Sequence, residues 1–210
     1  ERDGTPGYPV ETPIVYSRAL DDITDGDSIA LIVVGDNPGK DEQRVQNRRY
    51  LVGQAGKLGE GFFRRNPGLG VDFRKNVLIL NKTPIHTAKT RQLDFLRRSG
   101  GARFESLFLD SQIWMARETA ALQKALDCGL WLVGYGELRE KGLFAAYARE
   151  LGLRYATATG KKPADAVRLY QHFSMNRFTI DLAERGKPSL SLGENLREIG
   201  LAHRAEILGW

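Results

Sequence analysis

At 210 residues, 41% hydrophobic and 27% charged, the chain suits one folded domain with a sizeable core. Its longest apolar run, Ile29 to Val34, falls far short of the roughly 18 residues that cross a bilayer, and Glu1-Arg2-Asp3-Gly4 opens no leader-like pattern, so a soluble cytoplasmic protein without a membrane partner is expected. The net charge of +5 is unevenly spread: residues 1–39 set two arginines against eight acids, whereas residues 40–103 set fifteen basic residues against five acids, which points to a polyanion such as nucleic acid.

Residues 1–28, rich in Pro, Gly and Asp, read as an irregular lead-in. Ile29 to Val34 is apolar on both faces, the pattern of a strand covered by helices on either side of a parallel sheet. Leu58, Phe62 and the Arg64-Arg65 pair predict a short helix over 56–65, and Val77 to Leu80 a second strand. Leu109, Ile113, Ala116 and Ala120 recur at helical spacing, with Asp110 as a candidate cap. Leu130 to Val133 predicts a third strand, Leu143, Ala146, Tyr147 and Leu151 a helix, and Val167 to Tyr170 a fourth strand. Leu196, Ile199, His203 and Ile207 mark a last helix. The alternation predicts an α/β fold: one domain over residues 1–210, three layers α/β/α around a central four-stranded parallel sheet, with 178–210 as a C-terminal extension.

Cys128 is the only cysteine, which excludes an intramolecular disulfide and a thiolate-held zinc or iron–sulfur site within one chain. His86, His172 and His203 are too scattered for a metal signature, so no cofactor is expected.

In doubly wound sheets ligands sit beyond the carboxyl ends of the strands. After the first strand comes Gly35-Asp36-Asn37-Pro38-Gly39, a tight turn displaying a carboxylate and a carboxamide. After the second comes Asn81, whose amide can pair with both the donor and the acceptor of a base edge, or tie down a loop. After the fourth comes His172-Phe173-Ser174-Met175-Asn176-Arg177.

Together these segments resemble the uracil-DNA glycosylase superfamily. The first is similar to its water-activating turn. Tyr50-Leu51-Val52-Gly53-Gln54-Ala55-Gly56-Lys57-Leu58 is similar to the Pro-Phe-Val-Gly-x-Ala-Gly-x-Leu segment of the iron–sulfur-containing branch, and the His172 segment resembles the His-Pro-Ser motif that closes the pocket. The resemblance implies a monomeric enzyme of DNA repair, nucleoid-associated, that binds single- or double-stranded DNA, flips a uracil or related deaminated base out of the strand and hydrolyses its N-glycosidic bond.

On that resemblance Asp36, Asn37 and His172 are the catalytic candidates. Asp36 is favoured to position the attacking water, because a carboxylate also stabilises a cationic sugar; Asn37 is the alternative, as in the mismatch-specific and single-strand-selective branches. His172 stabilises charge on the departing base. Asn81 reads the base, Leu51 or Tyr50 contacts it, and Ser174 belongs to the closing loop. Met175 and Asn176 form the wedge. Arg48, Arg49, Arg64 and Arg177 grip phosphates. The chain departs from the pattern in having Leu51 at the stacking aromatic, Phe173 at the motif proline and one cysteine where the iron–sulfur branch has four. Trp114 and Trp131 are candidates for the packing that replaces the cluster. These departures also leave open a module of the same fold that binds damaged or single-stranded DNA without excision.

Overall fold

Four short apolar segments pair in parallel in a computed structural model that describes residues 6–156 and 165–210. β1 (Leu31–Gly35), β2 (Val77–Asn81), β3 (Gly129–Val133) and β4 (Val167–Tyr170) take the order β2-β1-β3-β4. The register sets Gly35 beside Asn81 and Val133 beside Tyr170, so the segments singled out at the strand ends emerge on one edge.

Side-chain alternation along the strands builds two cores. Ile32, Val34, Leu78, Leu80, Leu130 and Leu132 face α2 (Arg91–Ser99), α3 (Gly101–Leu126) and α4 (Ala145–Ala156). Leu31, Val33, Val77, Trp131 and Val133 face Phe62 and Phe63 of α1 (Gln54–Arg65), Phe178 of α5 (Arg177–Arg185) and Leu196 of α6 (Leu192–Leu208). The result is the expected three-layer α/β/α arrangement. Residues 178–208 are part of it: Phe178 and Leu196 are buried, and the Tyr170 hydroxyl donates to Leu196 O at 2.7 Å.

Two expectations shift. α3 starts at Gly101, not near Asp110, which lies inside the helix; its buried stripe holds the expected Ala116 and Ala120 together with Phe108, Gln112, Met115 and Thr119, and leaves Leu109 and Trp114 exposed. Trp114 therefore braces nothing near the strand ends, and Trp131 lies in the core against Phe63 and Tyr170.

Residues 6–28 hold a 3-10 turn at Arg18–Leu20 and an isolated bridge at Ile14, and they strap the site. Ile14 bridges Ile85, Val15 N donates to Pro84 O at 2.9 Å, and His86 N donates to Pro13 O at 2.8 Å. The Gln43 side chain accepts from Glu11 N at 2.6 Å and donates to Pro9 O at 3.3 Å. These contacts fasten the segments that follow β1 and β2.

Candidate active site

The loops leaving β1, β2 and β4 enclose a cleft of about 630 Å³ lined by Asp36, Asn37, Leu51, Asn81, His172, Ser174 and Met175, among others. It opens at the carboxyl edge of the sheet, where β1 has a neighbour on each side and the crossovers diverge. Residues far apart in the chain thus share one wall.

Asn81 ends β2 and is 1% exposed, and its Nδ2 has no hydrogen-bond partner. A buried amide left unpaired costs about 1–3 kcal/mol, and Asn81 is one of the residues that line the cleft. Gly35 makes the room: a Cβ there would lie 2.6 Å from Asn81 Oδ1.

Asp36 does not stand alone. Lys82 is fully buried and donates from Nζ to Asp36 Oδ1 at 2.6 Å and to Val133 O at 2.7 Å. Burial pulls the Lys82 ammonium below its ordinary range, and Asp36 opposes this. Thr90 Oγ1 approaches Asp36 Oδ2 at 3.4 Å. Gly134, at φ 82°, clears the space, since a Cβ there would lie 2.7 Å from Asp36 Oδ1. The carboxylate favoured for its net charge is thus compensated by a cation.

Asn37 is oriented instead by its amino group. Nδ2 donates to Thr87 Oγ1 at 2.9 Å, Thr87 O at 3.1 Å and Pro38 O at 3.2 Å. Asn37 Oδ1 takes no hydrogen bond among the described residues, so it is the atom left to accept one from water. Behind the turn, His86 Nδ1 lies 2.8 Å from Pro38 O, a group that only accepts, so this nitrogen carries the proton. His86 Nε2 then accepts from the Tyr8 hydroxyl at 2.9 Å, and burial pushes the imidazole below its usual range.

His172 has the opposite tautomer. Ser174 N donates to His172 Nδ1 at 3.1 Å, and Ser174 Oγ lies 2.7 Å from the same atom. Nδ1 is therefore an acceptor, and the neutral ring carries its proton on Nε2. Burial pushes His172 below the ordinary histidine range; Lys82 adds to this and Asp36 opposes it. Phe173 fits where the motif has proline: its φ of −64° is the value a proline ring imposes, and its buried ring packs on Phe73 and Phe178. Met175 and Asn176 follow in left-handed backbone, and Met175 is 77% exposed at the cleft mouth.

No protein-family model and no curated protein matches the chain.

Tyr50 is a correction: it lies outside the cleft, buried, with its hydroxyl on Val15 O at 2.6 Å, so Leu51 alone of the pair lines the cavity. Arg48, Arg49 and Arg64 do not line it either. Arg49 pairs with Asp22 at 3.5 Å, Arg48 turns its carbonyl to Arg18 N, and Arg64 closes the last turn of α1, exposed. The cations at the rim are Lys40, Lys89 and Arg91, which belong to the same basic stretch, with Arg177 exposed beside the closing loop. Lys82, Glu42 and Thr87 shape the site with no motif to mark them, and His86, too isolated for a metal signature, supports the turn instead. The adjacency of Lys82 to Asn81 was the signal available for the first. Among the described residues no three His, Cys, Asp or Glu side chains are placed to hold a metal, and no helix is long and apolar enough to cross a membrane.

Proposed function

We propose that the protein is a DNA glycosylase that hydrolyses the N-glycosidic bond of a flipped-out uracil or related deaminated base. The observation that carries this reading is the buried, unpaired Asn81 amide on the wall of a cleft that also holds a neutral His172 protonated on Nε2. Extruding a nucleotide costs a few kcal/mol, and the pocket must return it through contacts to the base edge. Asn81 supplies such a contact, donating from Nδ2 to a base carbonyl. Leu51 gives the base an aliphatic wall in place of an aromatic one. As the glycosidic bond lengthens, negative charge grows on the base, and His172 Nε2–H donates to it as a preorganised dipole.

Water attack falls to Asn37, whose Oδ1 accepts from the nucleophile while Thr87 fixes its amino group. Asp36, held by Lys82, contributes shape and a compensated dipole. Met175, exposed at the mouth, fills the gap in the stack, and Lys40, Lys89, Arg91 and Arg177 hold the phosphates.

One observation favours a second reading, a module that binds without cutting: the Lys82 cation leaves the turn little net charge for a cationic sugar. A labelled oligonucleotide carrying one uracil, hypoxanthine, xanthine or mismatched thymine, incubated with protein and then treated with alkali, separates the two. Strand scission on one of these bases supports the glycosylase, with Asn81→Ala blunting the choice among them. A retarded but intact strand on every substrate supports the binding module.

A further inference from the structure

Glu42 lines the same cleft, yet nothing in the reading above uses it. It is 6% exposed, and its Oε2 accepts from Gly39 N at 3.2 Å. The Leu51 amide lies near enough to the same carboxylate to favour its ionised form. Leu51 itself is in left-handed backbone at φ 50°, a conformation that costs a non-glycine residue about 1–2 kcal/mol unless its surroundings hold it. The other end of its peptide is held by Arg74, whose Nη2 donates to Leu51 O at 2.8 Å while its Nε binds Glu60 of α1 at 2.9 Å. Gly56 lets that carbonyl seat against the helix, since a Cβ there would lie 1.5 Å from Leu51 O.

We infer that Glu42 and Arg74 are positioning residues for excision, a clamp that fixes the left-handed Leu51 wall against the turn bearing Asn37 and Gly39. The inference rests on the glycosylase reading for its effect on rate, and on geometry alone for the clamp. It couples the two loops that must grip the base and the water at once. A misplacement of about 1 Å in such an arrangement costs up to about a hundredfold in rate.

The clamp is strongest with an ionised carboxylate, because the groups it meets on the backbone are N–H donors and protonation turns one of its two oxygens into a donor. Burial pushes Glu42 up to about 7, with Asp41 adding to the rise; the Gly39 and Leu51 amides and the Arg74 guanidinium pull it down. Tyr50, the other titratable group facing it, is raised above its own ordinary range and stays protonated. Protonation of Glu42 near neutrality would release one loop from the other, so excision should rise as pH climbs through about 7.

The test has two arms. In the parent protein, the amide resonances of Gly39 and Leu51 are followed against pH; both should shift with a midpoint near 7, and both should be flat in Glu42→Gln. In single-turnover excision of uracil from an oligonucleotide, Glu42→Gln should be about ten- to a hundredfold slower, lose the limb near neutrality and bind intact oligonucleotide within about twofold of the parent. Amides that do not titrate overturn the clamp whether or not the protein excises a base. Titrating amides with a Glu42→Gln rate profile superimposed on the parent overturn its part in excision. A parent that excises nothing, with amides that titrate, overturns the glycosylase reading and the part assigned to the clamp in it, and leaves the clamp itself supported.

Discussion

Lys82 Nζ sits 2.6 Å from Asp36 Oδ1, with the lysine fully buried and the aspartate side chain 15% exposed. Removing one partner of such a pair strands the other without solvent, which costs about 3–5 kcal/mol, whereas replacing both with neutral groups of similar shape is often far cheaper. Lys82→Met should therefore destabilise the protein by about 3 kcal/mol in urea unfolding, and Asp36→Asn/Lys82→Met by clearly less than the sum of the single changes. Additive losses would mean that the two groups are not coupled. The same double variant separates the water-positioning candidates. It should keep most of its excision rate, while Asn37→Ala should lose about 10²–10³, the usual toll for one preorganised polar group. A dead double variant beside an active Asn37→Ala would return the role to Asp36.

The tautomer of His172 gives a second prediction. Its Nδ1 accepts from Ser174 N, and burial holds its pKa below the ordinary histidine value. A histidine depressed in this way lends stability that is present above its unfolded value, about 6.5, and is lost as pH falls through the folded value. Imidazole nitrogen resonances at pH 7 should report a neutral ring protonated on Nε2. His172→Ala should slow excision by about 10²–10³ with oligonucleotide affinity nearly intact. A protonated ring at neutral pH would refute the assignment.

Glu42 has the opposite sign. Its pKa is raised from 4.5 to about 7, so the folded state holds the proton more tightly than the unfolded chain. Stability from this group is full below about 4.5 and falls on the order of 3 kcal/mol as pH rises past 7. Urea unfolding of the parent and of Glu42→Gln across pH 5 to 8 should show a difference that changes by roughly that amount. A constant difference would place the carboxylate in a more solvated setting.

The strands were legible because a short run apolar on both faces has few alternatives in a folded domain, and Leu31–Gly35 and Gly129–Val133 are such runs. α2 was not, because Arg91–Ser99 is short, buries only Leu93 and offers too few apolar residues to stand out from its charged neighbours. The cleft residues were legible as segments, since Asp36, Asn81 and His172 each follow a strand. Their states were not: Asp36 owes its compensation to a lysine 46 positions on, and no local pattern distinguishes a fully buried lysine from a solvated one. The lead-in read as irregular by composition, and its function as a strap resides in long-range contacts such as Glu11 N to Gln43 Oε1.

That strap yields a further test. Tyr8 hydroxyl, His86 and Pro38 O form a chain from the lead-in to the turn carrying Asn37. Tyr8→Phe removes one donor and should cost about 1 kcal/mol in stability, while His86→Ala, which removes both hydrogen bonds of the chain and leaves Pro38 O to Thr87 N and the Asn37 amide, should cost about 1–3 kcal/mol. Both should slow excision more than they weaken oligonucleotide binding, since the turn meets the water and not the phosphates. His86→Asn, which keeps a donor near Pro38 O, should recover part of the rate. Equal losses in rate and affinity would point to general unfolding of the loop.

On the proposed function, the cations at the rim decide how DNA is held. Each phosphate neutralised on duplex DNA contributes about −0.9 to the slope of log affinity against log salt. Lys40, Lys89 and Arg91 line the cleft, and none of them is in an ion pair among the described residues, although Lys40 Nζ lies 4.9 Å from the centre of the Tyr8 ring. Changing all three to alanine should flatten that slope by about 2–3 and weaken damaged and undamaged duplexes by similar factors, because phosphate contacts carry no base information. Arg49, already facing Asp22 at 3.5 Å away from the cleft, serves as the control, and Arg49→Ala should leave the slope unchanged. The contrast matters because both sets belong to the same basic stretch of sequence, so net charge alone predicts equal effects. A slope that responds to Arg49 and ignores the rim would move the DNA to the face of the sheet edge lined by Arg49, Arg74 and Lys75, and would leave the Asn81 cleft without a strand to deliver its base.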